Sequence, residues 1–137
     1  MHRTGAALAA LIAASAAAMA QSPPEAIDCG KASSTPQIAF CAGEDLKRAD
    51  ALLKDAVAAA IKVIDRDESK TGAQRKGRKS DLRDAQRLWF AHREKDCGPV
   101  VGWEWFGGTG MGAASLACKT AKTEARTTDI VARYGAK

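Results

Sequence analysis

The residues of this chain that could perform acid–base chemistry are few and lie in one neighbourhood. Past residue 20 there is a single histidine, His92, and three carboxylates follow it at Glu94, Asp96 and Glu104. Paired carboxylates are the groups that glycosidases use, and a histidine can act as a general base or a metal ligand. His92 has no second histidine near it in sequence, and Glu94 and Asp96 fall on a charged helix face where solvated carboxylates are usual. We therefore predict that the protein is not an enzyme and holds no cofactor.

Four cysteines offer the other reactive groups: Cys29, Cys41, Cys97 and Cys118. No two of them have the Cys-x-x-Cys spacing of a zinc site, so a metal centre is not expected. An even number of cysteines in an exported chain indicates two disulfides, and four cysteines allow three pairings. Pairing of neighbours, Cys29 with Cys41 and Cys97 with Cys118, is the arrangement we favour, while sequence alone does not choose among the three.

Export is predicted by residues 1–20. A positive start at His2 and Arg3 is followed by an alanine-rich apolar run, and the small residues around Ala20 form a cleavage site. The run is shorter than the roughly 20 apolar residues that a membrane-spanning helix needs. We expect cleavage near Ala20, a single mature domain over residues 21–137, and a periplasmic or secreted location.

The charge of the chain is moderately basic. The whole sequence carries a formal net charge of +5, and loss of Arg3 with the signal lowers it to +4. This excess is too small to indicate nucleic-acid binding.

Helical periodicity indicates an all-α fold. Residues 82–97 form an amphipathic pattern that carries Trp89 toward a core and ends in Cys97, Gly98 and Pro99. A long alanine-rich helix is predicted from Thr35 to about Asp65, and a last helix from Leu116 to Tyr134. The expected architecture is an antiparallel helical hairpin with a third helix packed across it, stapled by two disulfides.

Residues 98–112, which we call the aromatic loop, have an unusual composition. They combine several glycines with two tryptophans and a phenylalanine and carry one charge, Glu104. Exposed aromatics on a glycine-rich loop are typical of contact surfaces, but the same tryptophans could simply cover the core. On the first interpretation the residues that bind a partner are Trp103, Glu104, Trp105, Phe106, Gly107, Gly108 and Thr109.

A short basic cluster, made of Arg75, Lys76, Arg78 and Lys79, precedes the central helix. It could bind an anionic polymer of the cell envelope, or it could be an ordinary solvated surface at the tip of the hairpin.

Several ordered motifs resemble the LprI-like lysozyme inhibitor domain family. Asp28-Cys29 is followed by Thr35 and Cys41-Ala42, and then by the Leu-x-x-Ala-Asp pattern that ends at Asp50. A second block reads Leu-x-x-Ala-Gln-Arg-x-Trp-x-x-x-Arg, and its matching residues are Leu82, Ala85, Gln86, Arg87, Trp89 and Arg93. A Gly-Gly-Thr turn at residues 107–109 and a closing set of Cys118, Thr123 and Arg126 complete the resemblance.

The resemblance covers nearly all of residues 21–137 and implies a non-catalytic scaffold and a protein partner. In that scaffold Asp50, Gln86, Arg87, Trp89 and Arg93 are expected to be structural. The implied function is inhibition of a lysozyme, for which we expect the aromatic loop to enter the active-site cleft. The alternative is a non-catalytic envelope-binding module. The sequence departs from the family where the first helix lacks a tyrosine and where the turn before the second helix is long and basic.

Overall fold

A computed structural model describes residues 26–135, and within them it contains helices and turns but no strand. The predicted signal peptide, residues 1–20, lies outside the described residues. The long helices are α1 (Thr35–Asp65), α2 (Gly72–Lys95) and α4 (Met111–Tyr134), with a short helix α3 (Val101–Glu104) before the last. A 3-10 turn (Cys29–Lys31) precedes α1, and one π-helical turn (Asp96–Val100) joins α2 to α3. The all-α prediction is confirmed.

The N-cap of helix α1 lies one residue before Thr35, where the predicted helix begins. Ser34 is the N-cap: its side chain accepts a hydrogen bond from the backbone N–H of Gln37, and the Gln37 side chain accepts one from the Ser34 N–H in return. Such a capping box satisfies two of the free donors of a first turn, which the Thr35 hydroxyl alone would not do. Pro36 then fits the first turn because its missing N–H is not needed there.

Helix α2 starts earlier than we predicted, so the basic cluster lies within the helix rather than before it. Thr71 caps it through a second capping box with Gln74. The polar first half of α2 has no apolar stripe, which is why periodicity placed the start near residue 80. This half is held by its cap and by contacts with the preceding turn.

The predicted stop at Gly98 and Pro99 is also wrong, because the chain remains helical to Glu104. Pro99 lies inside the π-helical turn, and the backbone N–H of Val101 bonds to the carbonyl of Asp96, five residues back, as is typical of a π-helix. Helix α4 in turn starts at Met111, five residues before the predicted start.

The core lies among the three long helices and is thin. Its buried members are Leu53, Ala56, Ala60, Ile64, Leu82 and Ile130, with Trp89 packed against them at its edge. The closest packing is between α1 and α4, and α2 lies less close to both. Alanines on the buried face of α1 allow α4 to approach closely, while the large side chains of α2 keep its backbone further away. The three-helix prediction holds, but α1 pairs most closely with α4 rather than with its hairpin neighbour.

Both disulfides join neighbouring cysteines, as we favoured. Cys29 is bonded to Cys41, with their Cα atoms 5.6 Å apart, and Cys97 to Cys118, with Cα atoms 5.5 Å apart. The first ties the N-terminal segment to α1. The second closes the 98–112 segment onto α4, so the aromatic loop is covalently bounded at both sides. Over residues 26–135, no helix combines the length and apolarity needed to cross a membrane.

Candidate functional site

The motif residues converge on a buried arginine. Arg93 on α2 is only 2% exposed. Its Nη1 donates to Asp50 Oδ1 of α1 at 2.5 Å and to Thr123 Oγ1 of α4 at 2.6 Å. Its guanidinium also lies over the rings of Phe90 and Trp89, with Cζ 4.6 Å and 5.4 Å from their centroids. One side chain therefore joins all three long helices by polar contacts and covers two aromatic rings.

Further motif residues extend this network along α2 and α4. Arg126 Nε donates to Gln86 Oε1 at 2.6 Å. Thr123 is fully buried, and its hydroxyl donates to the carbonyl of Lys119 at 2.7 Å. Arg87, in contrast, is exposed and pairs with Asp84 one turn away. The scaffold role that we predicted remains the interpretation of these residues: Asp50 and Thr123 bond to Arg93, and Gln86 and Arg126 form a second bond between α2 and α4.

Two candidate catalytic carboxylates, Glu94 on α2 and Asp96 at the start of the π-helical turn, are engaged in ion pairs. Glu94 accepts from Lys119 at 2.5 Å and from Arg93 at 3.0 Å, and Asp96 lies 2.7 Å from Lys122. The hydrogen bond from Lys119, followed by that from Arg93, holds the pKa of Glu94 below its usual range. The bond from Lys122 lowers the pKa of Asp96 in the same way. A general acid for glycoside hydrolysis needs a raised pKa, so this pair has the opposite tuning.

These ion pairs predict a pH dependence of stability. Because the folded-state pKa of Glu94 lies below 4.5, the ordinary value for a glutamate, the stabilisation is complete above that value and is lost as the pH falls through the folded pKa. We expect the melting temperature to decrease below about pH 4.5, and to decrease less steeply in Glu94→Gln. Thermal unfolding followed by circular dichroism across this range tests it, with the exposed Glu124→Gln as the control. Identical acid slopes in wild type and Glu94→Gln would contradict the assignment.

The aromatic loop presents two large side chains to solvent. Trp103 is 77% exposed and Phe106 is 92% exposed, whereas Trp105 is 46% exposed. The Trp105 ring lies against Gly110, where an added Cβ would come within 2.3 Å of ring atom Cζ3. Neither interpretation of the loop, as a contact surface or as a cover for the core, fits all three residues. Trp105 packs on the protein, while Trp103 and Phe106 remain uncovered.

Phe106 adopts an unusual backbone conformation. Its φ is +47°, in the left-handed region that bulky residues rarely adopt, and Gly107 follows with φ +73°. The turn is held by the Gly108 N–H, which donates to the Trp105 carbonyl at 2.8 Å. An aromatic residue in the left-handed backbone conformation lowers the free energy of unfolding by roughly 1 kcal/mol. In this protein no buried contact of the Phe106 side chain offsets that cost.

Two apolar clefts of about 410 Å³ each adjoin the loop. The first is lined by Pro99, Gly102, Trp103, Phe106, Gly107 and Met111. The second runs between the first turns of α1 and α4 beside Trp105, and we call it the α1–α4 groove. It is lined by Thr35, Ile38, Ala42, Trp105, Gly110, Ala113, Ala114 and Ala117.

Sequence reasoning missed the α1 wall of this surface. Ile38 and Phe40 are both about half exposed on the first turns of α1, at 45% and 46%. Ile38 lines the α1–α4 groove, Phe40 is not among its lining residues, and the sequence predicts neither as a site residue. The apolar periodicity is weak near the start of α1, which is a sign that this part of the helix is not fully buried. Periodicity alone does not show which face of the helix a neighbouring element covers.

The basic cluster makes contacts within the protein. Arg78 Nη1 lies 2.6 Å from Asp67 Oδ2, and Lys79 pairs with Asp65. Arg75 donates to the carbonyl oxygens of Asp67 and Lys70. Three of the four cations thus hold the α1–α2 turn in place, which leaves less charge available for an anionic polymer.

A further groove, of about 480 Å³ and separate from the two clefts beside the loop, lies between α1 and α2 next to the Arg93 network. Four apolar and four polar or charged residues line it: Asp50, Leu53, Lys54, Val57, Gln86, Arg87, Trp89 and Phe90. Sequence reasoning assigned four of them, Asp50, Gln86, Arg87 and Trp89, to the scaffold.

Comparison with known proteins places the chain in a family. The family model described as lysozyme inhibitor LprI matches residues 28–130, which include α1, α2, most of α4 and both disulfides. An uncharacterized protein of Rhizobium meliloti (strain 1021) is 32% identical over 133 residues, covering 95% of this chain and 94% of that protein. No solved structure matches the chain. The family is one of inhibitors rather than enzymes, and the disulfides fit a location outside the cytoplasm. Because the family model matches about three quarters of the sequence, the chain belongs to the LprI lysozyme inhibitor family.

Proposed function

We propose that this protein is an exported inhibitor that binds a lysozyme through the aromatic loop and closes the active-site cleft of the enzyme. The observation that carries the proposal is the pair Trp103 and Phe106, which are 77% and 92% exposed on a segment bounded by a disulfide. The two rings also line one apolar cleft, and clustered exposed aromatics of this kind are typical of a surface that a partner covers. Cleavage near Ala20 and a periplasmic or secreted location belong to the same proposal.

Several features of the loop suit it to this task. The disulfide and the Trp105–Gly110 contact hold the loop in one conformation, so little ordering is needed when it binds. Trp103 and Phe106 are rings of the kind that can stack where sugars stack in a cleft, and Glu104 can meet a cationic group there. The glycines and Thr109 let the backbone of the loop approach the partner closely.

A comparison of two substrates tests the proposal. We expect the protein to slow lysis of cell-wall suspensions by lysozyme and also to slow hydrolysis of a soluble chitooligosaccharide, because an inhibitor that fills the cleft blocks both. Turbidity measures the first reaction and product release the second, with the inhibitor titrated against a fixed enzyme concentration. Several lysozyme classes should be included.

The soluble substrate distinguishes this function from the envelope-binding alternative. A module that coats an anionic polymer would protect the cell wall but leave hydrolysis of the soluble oligosaccharide unchanged, and its protection would decrease with added salt. That pattern would refute cleft inhibition and favour polymer binding by the basic cluster.

A further inference from the structure

The end of the molecule that carries the aromatic loop lacks the positive charge of the rest. Residues 35–46 and 97–118 contain three carboxylates, Glu44, Asp45 and Glu104, and no lysine or arginine, in a chain whose net charge is +5. Residues 62–83, around the α1–α2 turn, contain eight basic and four acidic residues. The excess cationic charge is therefore concentrated away from the loop.

Distance keeps these two charge environments separate. Helix α1 has 31 residues and runs from the α1–α4 groove at Thr35 to the basic turn at Asp65, a length of about 45 Å. The Debye length at physiological salt is about 8 Å, so the basic turn has little influence on the potential at the loop. A cationic protein is repelled at the turn but not at the loop.

At the end of the molecule that carries the aromatic loop, two of the three carboxylates form local ion pairs. The third carboxylate is therefore the main charge there. Glu44 pairs with Lys47 and Asp45 with Arg48, each one turn along α1. Within residues 26–135, Glu104 forms no ion pair, and it is exposed between the two tryptophans. It is placed where it can meet a positive group of a partner that covers Trp103.

From this arrangement we infer that the aromatic loop and the α1–α4 groove together form one docking surface for a cationic protein. The inference rests on the proposed function and specifies it: the partner is a lysozyme of high isoelectric point. Glu104 makes the charge contact, and the groove receives an apolar side chain of the enzyme. Complementary charge directs the encounter to this end and fixes the orientation of the complex.

A pair of matched charge reversals tests the surface. We expect Glu104→Lys to slow association with a basic lysozyme about tenfold at about 0.01 M salt, and the difference to shrink at about 0.15 M, where screening is stronger. Glu68→Lys makes the same change in net charge at the exposed α1–α2 turn and should alter the rate less than about twofold. Stopped-flow or surface-plasmon measurements give both rate constants. With an acidic lysozyme, Glu104→Lys should not slow association.

A second pair of variants tests the groove. Ala114→Leu places a larger side chain between the first turns of α1 and α4, and we expect it to weaken inhibition about tenfold or more. Ala58→Leu, at an exposed position in the middle of α1, should have no effect. Circular dichroism checks that both variants fold.

The possible failures are distinguishable. If the protein inhibits lysozymes but the two charge reversals act alike, or if acidic and basic enzymes respond in the same way to Glu104→Lys, the docking surface is wrong and the proposed function stands. Full inhibition by folded Ala114→Leu would exclude the groove. If wild type inhibits no lysozyme on the soluble substrate, the proposed function fails and this inference fails with it.

Discussion

Replacing Trp103 and Phe106 together by alanine should weaken inhibition of lysozyme at least about thirtyfold, which corresponds to about 2 kcal/mol or more of binding free energy. Aromatic side chains at the centre of a protein interface often contribute much of its binding free energy. Trp103 and Phe106 are the most exposed large side chains of the loop. Because neither is buried in the free protein, their removal should leave the helical circular dichroism and the melting temperature unchanged. A turbidity titration gives the loss of inhibition.

The matched control is the double variant Leu52→Ala and Leu88→Ala. These leucines are 61% and 60% exposed on α1 and α2, so the control also removes two exposed apolar side chains, but away from the loop. It should inhibit like wild type. A folded Trp103→Ala/Phe106→Ala protein with full inhibition would place the contact elsewhere, and the groove between α1 and α2 would be the next surface to test.

Trp105 is a less informative position for this experiment. Its ring packs against Gly110 and lines the α1–α4 groove. Alanine at Trp105 would therefore change the shape of the surface as well as remove a contact, and loss of inhibition would not separate the two effects.

Replacing Arg93 by alanine should lower the free energy of unfolding by about 3 kcal/mol. The change removes the hydrogen bonds to Asp50 and Thr123, and it uncovers the faces of Trp89 and Phe90. Thr123 is fully buried and cannot replace the lost donor with water, while the half-exposed Asp50 can be hydrated, which limits the cost. The melting temperature should fall by on the order of 10 °C.

Two variants delimit this effect. Arg87→Ala removes an exposed arginine of the same helix and should change stability by less than about 0.5 kcal/mol. Arg93→Lys keeps the charge but loses the planar fork that contacts two partners, so it should recover only part of the stability. Thermal and urea unfolding measure all three. An Arg93→Ala protein as stable as wild type would show that the network contributes nothing net to folding.

Much of the scaffold was predictable because it depends on local signals. The ends of α1, the all-α class and the presence of two disulfides follow from capping residues, helical periodicity and the even number of cysteines. Sequence alone left three pairings open, and the neighbour pairing that we favoured is the one found. The errors occurred where local signals are weak. The first half of α2 has no apolar stripe, and Gly98-Pro99 reads as a stop although a π-helical turn carries the helix past it.

The site was predictable in part. The composition of residues 98–112 marked the loop, and the order of motif residues marked the scaffold. Arg93 resembles any exposed arginine on an amphipathic helix, because its burial depends on Asp50 lying 43 residues away and Thr123 lying 30 residues away in sequence. No pattern within one helix reveals a contact made by three.

By itself, the sequence determined the all-α class, the approximate positions of the three long helices, the presence of two disulfides and the chemistry of the loop, since these depend on residue types and on neighbours along the chain. The tertiary structure decided which side chains each helix covers. It buried Arg93 among three helices, packed Trp105 on Gly110 while leaving Trp103 and Phe106 exposed, and used three cations of the basic cluster to hold a turn. It also brought the start of α1 beside the start of α4, which created a groove whose lining residues include no lysine or arginine. These outcomes depend on close packing between segments that are distant in sequence, and burial and net charge at a surface are properties of that packing rather than of any one segment.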